Sequence, residues 1–141
     1  MPQKGGRMAL KWYTVVVDCL DPQKQAHWWA DALDWEVVYD TPEEAVAIPK
    51  GMSEDPVADF AEWMARGQGL VFVPVPEGKT VKNRLHIDLA PHTSQDRDAE
   101  IARLLELGAS TVDVGQSDDV TWIVLADPEG NEFCVLSSRD S

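Results

Sequence analysis

The residues of this chain that could do chemistry gather in two short runs. In Arg84-Leu-His-Ile-Asp-Leu89, the polar residues Arg84, His86 and Asp88 alternate with Leu85, Ile87 and Leu89. A strand sends successive side chains to opposite faces, so the polar three share one face and the apolar three the other. The apolar set should meet a helix, which leaves the polar set on the free side. In the run from Glu132 to Leu136, the same alternation pairs Glu132 with Cys134 and turns Phe133 and Val135 the other way. A face carrying Arg84, His86, Asp88 and Glu132 is a setting for shifted pKa values and for general acid–base work by an imidazole and a carboxylate. A plainer reading stands beside it. Arg84 pairs with Asp88 or Glu132 to hold the fold, His86 is a hydrogen-bonded core histidine, and Cys134 is an inert buried thiol.

The six tryptophans are the compositional oddity. Most should pack the core, and one or two could wall an aromatic pocket. Trp122, on the strand before the Glu132–Cys134 run, and Trp29, on the first helix, are the candidates for ligand contact. Lys79, Lys82 and Arg84 make a small basic cluster, read either as a solvated loop or as a steering patch for a small anion. His27 and His92 fall where surface exposure is the default.

Charge and length bound the function class. With 25 acidic and 12 basic side chains the formal net charge is −13, so a nucleic-acid or anionic-membrane surface is not expected. No apolar run reaches the roughly 18–20 residues of a membrane span. The start, MPQKGGRMAL, has no sustained apolar stretch, so no secretory signal is expected. Two cysteines, Cys19 and Cys134, are too few for a disulfide scaffold and read as buried thiols of a cytoplasmic protein. The 141 residues suit a single domain over 1–141.

The elements that must position these residues follow in order. Trp12 to Asp18 is β-branched and aromatic, a strand. Asp21-Pro22 is an N-cap followed by Pro at the first helical position. Ala26, Trp29, Ala30 and Leu33 then give a helix one apolar stripe. Trp35 to Tyr39 and Ala45 to Ile48 are strands. Asp55-Pro56 repeats the cap signal, and Val57, Phe60, Ala61 and Met64 predict a three-turn helix ending near Gly67. Leu70 to Val75 is a strand that Pro74 and Pro76 place at an edge or terminate. Arg84 to Leu89 is the next strand. Ile101, Leu104 and Leu105 stripe a helix that Gly108 ends. Ser110–Val114, Val120–Ala126 and Glu132–Leu136 are three more strands, the last two joined by the turn Asp127-Pro-Glu-Gly130. The order is β-α-β-β-(α)-β, then β-α-β-β-β. The halves, about 10–76 and 82–137, echo each other about 70 residues apart, as a duplication would leave them. Asp18 matches Asp88, and Asp34 sits where Gly108 does.

This layout, with KNRLHIDL, LLELGAS and ADPEGNEFCVL, resembles the vicinal oxygen chelate superfamily, which includes glyoxalase I, bleomycin-resistance proteins and extradiol dioxygenases. The likeness runs from about Trp12 to Leu136 and is nearest to the small glyoxalase-like branch. It implies an α+β fold of two βαβββ modules whose curled mixed sheets enclose a cavity, with the short helix inserted in the first. It also implies a small-molecule ligand and a homodimer. Metal-dependent members hold one divalent ion with His, Glu or Gln from the first and last strands of each module. Here only His86 matches. The first strand offers Thr14 or Val16, and Leu70–Val75 has no ligand side chain. Cys134 falls on the usual Glu position, with Glu132 two residues earlier. No metal and no other cofactor is therefore expected. Three functions remain open: a lyase- or isomerase-type activity using His86 as its base, binding and sequestration of a planar or aromatic compound without chemistry, or a module whose partner is another protein and whose cavity is vestigial.

Overall fold

The computed structural model describes residues 10–112 and 122–141. Its first half is β1 (Thr14–Cys19), α1 (Pro22–Leu33), β2 (Trp35–Thr41), β3 (Glu44–Pro49), α2 (Phe60–Ala65) and β4 (Gly69–Pro74). Its second half is β5 (Ile87–Leu89), α3 (Arg97–Leu107), β6 (Ser110–Thr111), β7 (Ile123–Ala126) and β8 (Glu132–Val135). Each half forms a four-stranded mixed sheet, ordered β1-β4-β3-β2 in the first and β5-β8-β7-β6 in the second. The outer first strand is parallel to the last strand of its own half in both sheets, and the remaining pairs are antiparallel. The α+β architecture of two βαβββ units expected from the element order is the one observed.

Capping chemistry places the helices. The Asp21 side chain accepts from the Lys24 N–H at 3.1 Å, and Pro22 stands where no intrahelical N–H bond is lost. Asp96 caps α3 through the N–H groups of Asp98 and Ala99. Both helices end on a left-handed residue, Asp34 at φ 57° and Gly108 at φ 118°. The two positions that match in the sequence thus perform the same C-terminal turn.

The core is shared by the halves. From α1, Trp28 and Trp29 stack edge-on at 5.1 Å, and both rings lie against Phe133 of β8, at 6.0 and 5.1 Å. The same helix covers Ala45, Ala47, Leu70 and Phe72 of the first sheet. Each helix also closes the end of the other. The Trp28 indole donates to the Leu107 carbonyl at 3.0 Å, and the Arg103 guanidinium donates to the carbonyls of Asp31 and Ala32 at 3.1 and 2.8 Å. These are carbonyls of the last turns, which have no intrahelical partner.

Two sequence expectations need correction. The inserted helix is one and a half turns rather than three, and its cap is Asp59, which accepts from the Glu62 N–H at 2.9 Å. None of its residues is buried, and Phe60 is 57% exposed, so the apolar stripe from Val57 has no core to lie on. Helices this short depend on such packing. The strand expected from Arg84 starts only at Ile87, opposite Phe133. Ahead of it, the Asn83 side chain takes the Glu132 carbonyl at 3.3 Å, so a side chain replaces the ladder there. Of the two readings of Pro74 and Pro76, the terminating one holds, since β4 lies between β1 and β3 and ends at Pro74. The strand expectations at 113–114 and 120–121 lie outside the described residues.

Candidate functional site

The parallel pairing of β5 with β8 sets Asp88 beside Cys134. Ile87, Leu89, Phe133 and Val135 all join the helix-packed core. Alternation therefore puts Asp88, Glu132 and Cys134 on the helix-free side, and His86, just ahead of β5, meets Asp88. His86 Nδ1 lies 3.0 Å from Asp88 Oδ1, and both side chains are 46% exposed. Burial pushes the Cys134 thiol up from its ordinary value, and the charge and hydrogen bond of Asp88 push it further. One donor atom from each of His86, Asp88 and Cys134 lies within 4.8 Å of the other two. These three are what the fold brings together.

Glu132 is near them but engaged elsewhere. Its carboxylate meets the Lys79 ammonium and accepts from the Asn83 backbone N–H at 3.0 Å. Burial opposes its ionisation, but the Lys79 hydrogen bond, the Asn83 N–H and the charges of Lys79 and Lys82 outweigh that and hold its pKa below the usual range. Lys79, read from the sequence as loop or steering patch, instead straps the connection between the halves onto β8. Arg84 is exposed and takes neither Asp88 nor Glu132, because His86 and Lys79 hold those places. Trp122 is 38% exposed and alternates with Val124, the residue paired to Cys134, so it stands at the rim of this face. Trp29 is 3% exposed and packs against Phe133, on the other side of β8. Its indole N–H donates to Asp127 at 3.0 Å.

Asp127 is a residue whose importance residue-type reasoning missed, although DPEGNEF flagged the segment. Its buried carboxylate also accepts from Gln25 at 2.9 Å and from the backbone N–H groups of Glu129 and Asn131. Glu129 accepts from the N–H groups of Leu20 and Asp21, at 2.7 and 2.9 Å. The turn before β8 therefore clasps the start of α1, and the motif does structural service between halves.

A cavity of about 360 Å³ opens on the first half, on the face of its sheet turned from α1. Tyr13, Val46, Trp63, Arg66 and Val71 line it with Lys11. The Lys11 ammonium donates to the Trp63 carbonyl at 2.6 Å and lies 4.8 Å over the Trp63 ring. His86, Asp88 and Cys134 form no part of its wall.

The ligand set that the resemblance implies does not fit this chain. Aligning Asp18 with Asp88 through the two parallel pairings sets Val16 where the second half has His86, and Val73 where it has Cys134. Neither valine can bind an ion, so these aligned positions supply no ligands from the first half.

Comparison with known proteins agrees with the fold. A family model described as a glyoxalase-like domain matches residues 14–136. No curated protein sequence matches the chain. Among solved structures, a glyoxalase-related enzyme from Fulvimarina pelagi is similar at 13% identity and a TM-score of 0.62, over 92% of this chain and 89% of that one. A glyoxalase/bleomycin resistance/dioxygenase family enzyme from Burkholderia phytofirmans is similar at 13% identity and a TM-score of 0.63, over 91% of this chain and 98% of that one. A mutant of the fosfomycin resistance protein FosX from Listeria monocytogenes, complexed with Mn(II) and 1S,2S-dihydroxypropylphosphonic acid, is similar at 12% identity and a TM-score of 0.64, over 93% of this chain and 92% of that one. Such identities carry the fold and not the activity. On the family match across nearly all of its length, and on its paired βαβββ units, this chain belongs to the glyoxalase-like domains of the vicinal oxygen chelate superfamily.

Proposed function

We propose that this chain handles a small organic ligand on the helix-free face of its second half, where His86 acts as a general base or acid without the family's usual metal set. The observation that supports this is the His86–Asp88 contact at 3.0 Å on an accessible face. With the Asp88 carboxylate beside Nδ1, the free Nε2 is the nitrogen placed to take a proton from a ligand. Asp88 orients the ring. The fitting reaction class is a lyase or isomerase step that begins with proton removal next to a carbonyl.

The test is deuterium exchange. A panel of small α-hydroxy aldehydes and ketones is incubated with protein in D2O and followed by NMR. His86→Ala should lose exchange by roughly 10²–10⁴-fold, the span of general-base contributions. Its ligand affinity, read by tryptophan quenching, should stay near wild type. Ligands that quench but never exchange with the wild-type protein would refute the catalytic reading.

One observation favours a second reading. The cavity beside Trp63 and Tyr13 lies apart from His86, as suits binding without chemistry. Sequestration predicts that planar aromatic compounds quench tryptophan fluorescence, are recovered unchanged, and bind more weakly to Trp63→Ala. Partnering with a second copy of the chain belongs to the same proposal and is checked by sedimentation.

A further inference from the structure

We propose that the first-half cavity binds a planar aromatic carboxylate, its ring against Trp63 and its charge on the Arg66 guanidinium. The inference rests on the sequestration reading of that cavity and gives its ligand a chemical class.

The charged wall is built by two segments outside the sheets. Among the six residues of α2 only Trp63 is not exposed, and it lines the cavity. Lys11, just ahead of β1, fixes it there. Its ammonium donates to the Trp63 carbonyl at 2.6 Å and lies 4.8 Å over the indole ring. The ring's negative face and the carbonyl near the helix end both attract that cation. Lys11 is therefore spent on holding Trp63. Arg66 follows α2 in extended backbone, lines the same cavity and is half-buried. Its guanidinium makes no ion pair and no hydrogen bond among the described residues.

A half-buried cation without a partner has lost water and gained nothing in return. An incoming anion supplies what is missing. The guanidinium's flat fork of donors matches a carboxylate through two parallel hydrogen bonds. Glu44 and Glu54 also line the cavity, but both are exposed and neither pairs with Arg66. Their charges oppose a second negative charge in the same space. A carboxylate thus fits better than a phosphate, which carries about −1.5 to −2 at neutral pH. Tyr13, Val46 and Val71 complete a wall that suits a ring. The volume of about 360 Å³ is near the lower end of ligand pockets, roughly 300–1,000 Å³, so a small fused-ring acid is the size that fits. The net charge of −13 by itself attracts cations, so a preference for the anion reports this wall and not the field of the whole chain.

The experiment is isothermal titration calorimetry of the full chain with 2-naphthoate, its methyl ester and 2-naphthylmethylammonium, which share one ring system. Naphthoate should bind at least roughly tenfold tighter than the ester, about what a charge-assisted pair adds. The ammonium should bind more weakly than naphthoate. Arg66→Gln should bring naphthoate down to the ester's affinity, with the fold checked by circular dichroism. Trp63→Ala should weaken naphthoate and ester alike. Naphthoate binding no tighter than the ester, or an ammonium that matches it, overturns the proposal and leaves the sequestration reading standing. A preference for naphthoate that survives Arg66→Gln, or binding untouched by Trp63→Ala, overturns the assigned site. Binding of none of these compounds overturns both the proposal and the reading beneath it.

Discussion

Asp127→Ala should be among the most damaging single substitutions in this chain, although it lies outside the candidate site. The Asp127 carboxylate is 2% exposed and accepts from the Gln25 amide at 2.9 Å and the Trp29 indole at 3.0 Å. Those donors are themselves 0% and 3% exposed, so water cannot replace the lost acceptor. A buried donor left without a partner costs about 1–3 kcal/mol, and two of them cost roughly 2–6 kcal/mol. That is a large share of the roughly 5–15 kcal/mol that holds a domain folded. The turn's own N–H groups, at Glu129 and Asn131, are partly exposed and can turn to water. Asp127→Asn should cost less than Asp127→Ala, because its one oxygen can still accept from Gln25 and Trp29 while its amide faces the partly exposed N–H groups of Glu129 and Asn131. Gln25 sharpens the test, since its Oε1 is already buried without a partner. In a Gln25→Leu/Trp29→Phe background the donors are gone, and Asp127→Ala should cost only about 1 kcal/mol. The assay is urea unfolding followed by tryptophan fluorescence, with a double-mutant cycle. A loss below about 1 kcal/mol in the wild-type background, or equal losses in both backgrounds, would refute the orphaned-donor reasoning.

The other expectations concern pH, packing and thiol reactivity. Glu132 has a folded pKa lowered from the ordinary 4.5, so its stabilisation is complete above about that pH and fades as pH falls through the lower folded value. Glu132→Gln should therefore be less stable than wild type by roughly 1–3 kcal/mol at neutral pH, and the gap should close in acid melts. Gly69→Ala would set a Cβ 2.8 Å from the Ala47 carbonyl oxygen, a backbone atom that cannot step aside, and should cost about 1–3 kcal/mol in a thermal melt. Cys19 is pushed up to about 12, by burial first and then by the charges of Glu129, Asp21, Asp127 and Asp18. Its alkylation by iodoacetamide at pH 7 should be far slower in the folded chain than in urea.

Alternation and capping signals sufficed to place most elements and the polar face of β5. Asp21-Pro22, Asp96 and Gly108 act within a turn of chain, and the period-two pattern of 84–89 says which side chains travel together. Local rules reach that far because both are set by neighbouring peptide units. They failed at α2, where a proper cap and stripe had no core to meet, and at Arg84, whose expected partners were claimed by His86 and Lys79. Which carboxylate meets which cation depends on how β5, β8 and the 79–83 loop come together across about 50 residues of chain, and composition carries no information about that register. The same holds for Cys134 beside Asp88 and for Asp127 beneath α1. The first contact exists because β5 and β8 pair across the second half, the second because that half folds back on the helix of the first, and only the tertiary arrangement gives each group its partner.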